Sequence, residues 1–113
     1  MYHDPVVWVN VAKMDQSWKR DGVHYVEQGA RGRETASRLK YERFGKWILE
    51  GRTLLMPDVG LIKGEVLFSD GRHRFAWLRD HGVRAIPVTT SPETAAEFAR
   101  RFGTKLRTSR VYL

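Results

Sequence analysis

The chain has 113 residues, 42% hydrophobic and 12% aromatic, enough for one packed core without metal or disulfide staples and too apolar for a disordered tail. Lysine and arginine outnumber aspartate and glutamate by 20 to 13, and the formal charge of +7 suits a nucleotide, nucleic acid or an acidic protein face, although such an excess also serves solubility. Cysteine is absent, which excludes disulfides, thiolate zinc sites and thiol catalysis.

The opening, MYHDPVVWVNVAKMDQ, has no basic segment followed by a long apolar run, and no later stretch is apolar enough to span a bilayer. A cytoplasmic protein without membrane insertion is expected. Pro5 to Ala12, PVVWVNVA, is rich in β-branched residues and reads as a first strand. Asp15 then stands where it can cap a short helix carrying Trp18. From Lys19 to Lys40 the apolar period dissolves among glycines and cations, which predicts a mobile basic loop. Its Lys19, Arg20, His24, Arg31, Arg33 and Arg38 have the composition of a lid over a polyphosphate, or of a simply solvated loop.

Tyr41, Phe44, Gly45 and Ile48 fall at i, i+3, i+4 and i+7, placing one apolar stripe on a helix that stops near Gly51. Glycine costs about 1 kcal/mol in a helix interior, so Gly45 implies close packing against a neighbour. Two strands follow, Leu54 to Leu61 and Glu65 to Ser69, with a turn at Lys63-Gly64 and with Pro57 at an edge or bulge. Asp70 is a suitable N-cap for a helix through Phe75 and Leu78 that ends at Gly82. AIPVTT supplies another strand. Ser91-Pro92 then opens a last helix with Ala95, Phe98, Ala99 and Phe102 as its buried stripe, closed by Gly103. A basic tail covers 104–113.

The stretch DGRHR, Asp70 to Arg74, carries the chemistry. First-turn N–H groups lack intrahelical acceptors and lie at the positive end of the helix dipole, so an anion is favoured there. Gly71 lets a ligand approach the main chain, Arg72 and Arg74 can fork onto phosphate oxygens, and His73 exchanges a proton near neutral pH. The same residues also suit an exposed helix start with a half-buried, satisfied histidine, and both readings stay open on residues alone. Neither a Walker loop nor G-x-G-x-x-G occurs. Asp70 is first a cap and second a partner for His73 or magnesium, and no dedicated protein metal site is expected. The four tryptophans read mainly as core, with Trp77 on a helix flank as the one to consider for stacking or partner contact.

The order helix, LLMP, strand, then VLFSDGRHRFAWLRDHGVRAIPV, over Arg38 to Val88, resembles the ParB/sulfiredoxin superfamily. YERFGKWILEG, MPDVGL and DGRHRFAWLRDHGV are more narrowly similar to its plasmid fertility-inhibition factor branch. The resemblance implies an α+β domain over 1–113, with a small mixed sheet flanked by about four helices. It also implies ATP or CTP, with magnesium, as ligand, or DNA, with phosphates at Gly71, Arg72, His73 and Arg74 and a type IV secretion component as partner. Arg38, at the base of the following helix, is expected to assist. The sulfiredoxin reaction is not expected, because Arg72 stands where its cysteine belongs, and the Gly-Glu-Arg-Arg turn of CTP-switching clamps is absent. An enzyme of this kind would be an ATPase or DNase with His73 as acid or base. The alternative is a non-catalytic DNA-binding or protein-docking module.

Overall fold

A computed structural model describes residues 4–31, 35–51 and 55–108. The elements run β1 (Val6–Asn10), α1 (Val11–Trp18), a 3-10 turn (Gln28–Ala30), α2 (Thr35–Leu49), β2 (Asp58–Ile62), β3 (Glu65–Asp70), α3 (Arg72–Asp80), β4 (Ala85–Thr89) and α4 (Pro92–Phe102). The four strands form one mixed sheet in the order β1-β4-β2-β3. The outer pairs, β1 with β4 and β2 with β3, are antiparallel, and β2 meets β4 in parallel at Asp58 and Thr89. This is the α+β arrangement expected, a small mixed sheet flanked by four α-helices.

The β2–β3 hairpin turns through Lys63 and Gly64, both at positive φ, 51° and 78°, which matches the right-handed twist of the flanking strands. Near its open end Asp58 pairs with Asp70 but Val59 pairs with Phe68, leaving Ser69 as a bulge. Pro57 is buried just before β2, and its carbonyl accepts a 2.9 Å bond from Thr89 N–H. Bulges bend a strand and re-aim its end, and this one delivers the chain into the turn before α3.

Trp18 sits at the centre of the core, with ring centroids of Phe68 at 4.5 Å, Tyr25 at 4.7 Å and Phe75 at 5.6 Å. Gly45 packs as its place in the helix implied, because a Cβ there would lie 2.2 Å from the indole nitrogen of Trp77. Trp77 itself is 5% exposed, edge-on to Phe44 and stacked on His81. It is therefore core, not the flank residue considered for stacking, since the missing side chain at Gly45 makes the space that swallows it.

Three other expectations are corrected. Asn10, not Asp15, caps α1, its side-chain oxygen accepting from Lys13 N–H at 3.0 Å. Asp15 lies inside the helix, buried, because the Arg79 guanidinium draws it inward at 3.0 Å. The basic loop over 19–40 is shorter, since α2 starts at Thr35 and Val26 and Ala30 bury their side chains in the core. On α4 only Phe98 and Phe102 are fully buried; Ala99 is exposed. Gly103 then bridges Val9, where a Cβ would meet the Ala99 carbonyl at 2.3 Å. Residues 109–113 of the basic tail lie outside the described residues, while Thr104 N–H bonds the Trp8 carbonyl and Arg107 lies 5.0 Å over the Trp8 ring. No helix among the described residues is long and apolar enough to cross a membrane.

Candidate functional site

α3 begins without a side-chain cap. Asp70, expected to cap it, is the last residue of β3; the chain turns at Gly71, whose φ of 84° and own carbonyl open the helix. Glycine is needed there twice, for the left-handed backbone and because a Cβ would come within 2.9 Å of Pro57 Cα. The helix therefore starts without a capping side chain.

This helix start opens onto a groove of about 570 Å³. One wall is the first turn of α3, Arg72 to Arg74, and the other is α2, through Lys40, Arg43, Phe44 and Trp47. Those four α2 residues recur at i, i+3, i+4 and i+7, so they share one face of the helix. Phe68, Ser69 and Leu55 complete the lining. Four cations, Lys40, Arg43, Arg72 and Arg74, stand against Asp70, the one acid among the described lining residues. The groove is thus a cationic site with an aromatic end.

The expected site residues separate in this geometry. Gly71, Arg72, His73 and Arg74 all line the groove. Arg74 is also a strut: its guanidinium donates to the Leu55 carbonyl at 2.9 Å and to the Asp70 carboxylate at 2.9 Å. Its side chain is only 19% exposed. The Nε2 of His73 lies 2.7 Å from the Ser37 hydroxyl, tying α3 to α2. Arg38 is exposed beside Ser37 and is not among the described residues that line the groove. Ser37, Lys40 and Arg43 were not expected at the site, and Trp47, read with the other tryptophans as core, is exposed at the rim of the groove instead. Their signal was a second helical stripe, one residue round from the apolar one.

The lid cations do not gather at the groove either. Arg20 pairs with Glu65, His24 faces Asp21 at 3.4 Å, Lys19 lines a separate cavity beside α1, and Arg33 lies outside the described residues. Their segment is anchored at the other end of α3, where Tyr25 donates to Asp15 and Gly29 N–H donates to Asp80. Hydrogen bonds from Ser17 and Arg20 hold the Glu65 carboxyl below its ordinary range.

That far end holds a buried cluster. Arg79 donates to Asp80 at 2.8 Å, to Asp15 at 3.0 Å and to the Tyr25 oxygen at 3.2 Å, while Tyr41 donates to Asp80 at 2.8 Å. Burial opposes the charge on Arg79, but its hydrogen bonds to Asp80 and Asp15 outweigh that and raise its pKa. Burial, opposed by the Arg79 charge and reinforced by Asp15, pushes the Tyr25 phenol up to about 12; burial and Asp80 push up the Tyr41 phenol as well. Among the described residues no three histidine, aspartate or glutamate side chains come together as metal ligands.

Residues 6–103 match a family model described as plasmid fertility inhibition factor. The chain is also similar to a solved structure, the crystal structure of oncogenic suppression activity protein, a plasmid fertility inhibition factor, in its gold(I) cyanide derivative. The TM-score is 0.68 and the identity 25%, over 88% of this chain and 56% of that one. This chain thus spans a little over half the length of that protein. The comparison with curated proteins gave no match.

Proposed function

Because the chain belongs to the plasmid fertility inhibition factor family, we propose that it acts against conjugative DNA transfer by binding the phosphates of a nucleoside triphosphate or of DNA in the groove beside α3. The observation that carries this reading is an uncapped helix start opening onto a groove with four cations and one acid. Arg72, Arg43 and Lys40 contact the phosphates, Gly71 allows their close approach, and Arg74 holds the turn in shape. Magnesium arrives with the nucleotide, and a component of the conjugative secretion machinery is the partner. If the ligand is hydrolysed, His73 is the proton-exchanging group, since its imidazole lines the groove and the Ser37 hydroxyl fixes its ring.

Titration of the wild type and Arg72→Ala with ATP, CTP and a short DNA duplex, with and without magnesium and at two salt concentrations, tests this. Binding that Arg72→Ala weakens at least about tenfold supports it. The absence of nucleotide and DNA binding in the wild type would sink it and leave the docking module as the better reading.

A further inference from the structure

A second groove, of about 660 Å³, lies at the other end of α3, between α1, the segment from Gly82 to Arg84 that leads into β4, and the tail at Thr104 and Leu106. Val11, Ala12, Asp15, Gln16 and Lys19 form its α1 wall, at i, i+1, i+4, i+5 and i+8, and so share one face of that helix. Val11 N–H donates to the Arg84 carbonyl at 3.0 Å, which fixes Arg84 at the start of the wall, while Lys19 ends it. Their backbones therefore stand at opposite ends of the groove, about 12 Å apart along the α1 axis. Arg79 and Asp15 also border it, but they pair with each other at 3.0 Å and cancel. Lys19 and Arg84 are exposed, and among the described residues neither is in an ion pair. The lining adds apolar Val11, Val83 and Leu106, the last 45% exposed. Asn10 lines it too, and since its side-chain oxygen accepts from Lys13 N–H, its amide nitrogen is left to donate outward.

We infer that this groove docks an acidic segment of a partner protein in extended form, one carboxylate on Lys19, another on Arg84, and an aliphatic side chain between them on Val83 and Leu106. In an extended chain alternate side chains share a face, and acids four residues apart are separated by about 13 Å with one residue between them on the same side. That spacing matches the two cations, and the middle residue meets the apolar lining. Asn10 then donates to a carbonyl of the docked backbone. A second copy of this chain does not fit, because it is itself +7 and its one pair of acids four residues apart, Glu93 and Glu97, is wound into α4. A phosphate backbone fits less well, since it meets only two uncommitted cations and leaves the apolar lining unused. None of these contacts lines the groove at the start of α3, so the inference stands or falls apart from the phosphate reading.

The probe is the acetylated and amidated peptide Glu-Ala-Leu-Ala-Glu, titrated into the isotope-labelled protein and followed by NMR, with Gln-Ala-Leu-Ala-Gln, Glu-Ala-Ser-Ala-Glu and a short DNA duplex for comparison. The acidic peptide should move the amide signals of Ala12, Gln16 and Val83 and leave those of Lys40 and Arg43 in place. Lys19→Ala and Arg84→Ala should each weaken it about threefold, and the double variant about tenfold. The glutamine peptide should bind about tenfold more weakly and the serine peptide about threefold more weakly, added salt should loosen the acidic peptide, and Arg72→Ala should leave it unchanged. No binding of the acidic peptide up to about 1 mM, equal affinity for the glutamine peptide, or wild-type affinity in the double variant overturns the inference. A loss in Arg72→Ala in place of the double variant also overturns it, by moving the peptide to the other groove. DNA that binds through Lys19 and Arg84 where the peptide does not overturns it as well and makes this a nucleic-acid contact. Thermal melts of each variant separate lost binding from lost folding.

Discussion

Helix α3 carries arginines at both ends, and they do opposite work. At its start Arg72 and Arg74 border an open groove; at its finish Arg79 is held between Asp15 and Asp80 with two tyrosines around it. All three are the same side chain on one nine-residue helix. What distinguishes them is which elements the fold brings against each end, bulged β3 and the α2 stripe at one, α1 and the 3-10 turn at the other. A buried guanidinium held between two carboxylates organises structure, whereas a cation beside a helix start without a capping side chain is available for an external anion.

Removing Arg79 should break this contrast most sharply. Arg79→Ala leaves Asp15 and Asp80 without their cation, and chemical denaturation should report a loss of about 3–5 kcal/mol. A wild-type midpoint with an unchanged slope would show that the cluster is not a structural strut. Arg74 falls between the extremes. Arg74→Ala should cost about 1–2 kcal/mol through its bonds to Leu55 and Asp70, while Arg72→Ala stays within about 0.5 kcal/mol in the same melts. Equal losses in these two variants would erase the division between strut and ligand contact.

The smallest effect lies at alkaline pH. Because the folded Tyr25 pKa is raised above its unfolded value of 10, the phenol's contribution is complete below pH 10 and is lost as pH rises through about 12. Tyr25→Phe should flatten that part of the stability profile. An alkaline loss unchanged in the variant would assign it to another group.

Local signals in the sequence survived where local chemistry decided the outcome. Lys63-Gly64 made the hairpin, Ser91-Pro92 opened α4, and the oddity of Gly45 inside a helix foretold the indole packed on it. Signals failed where a distant partner decided. Asp15 and Asp70 both looked like caps, yet one is claimed by Arg79 and the other by Arg74, while Asn10 and Gly71 start the helices. At the candidate site the α3 half was legible because its residues are contiguous. The α2 half was not, since Lys40 and Arg43 read as solvated helix surface until α3 stands opposite them.

The sheet also carries information about how the chain reaches this state. β2 and β3 are neighbours in sequence and can zip from their two-residue turn within a short stretch of chain, but β1 must wait for β4, with Val6 pairing Thr89 near the opposite end of the molecule. Closing so long a loop is entropically late and slow. The two halves then join through the single Asp58–Thr89 parallel pair, reinforced by Thr89 N–H on the Pro57 carbonyl and the Thr89 hydroxyl on Asp58. The residues that seal this seam adjoin Pro57, against which Gly71 turns, so the joint between the two halves of the sheet also fixes the turn that opens α3.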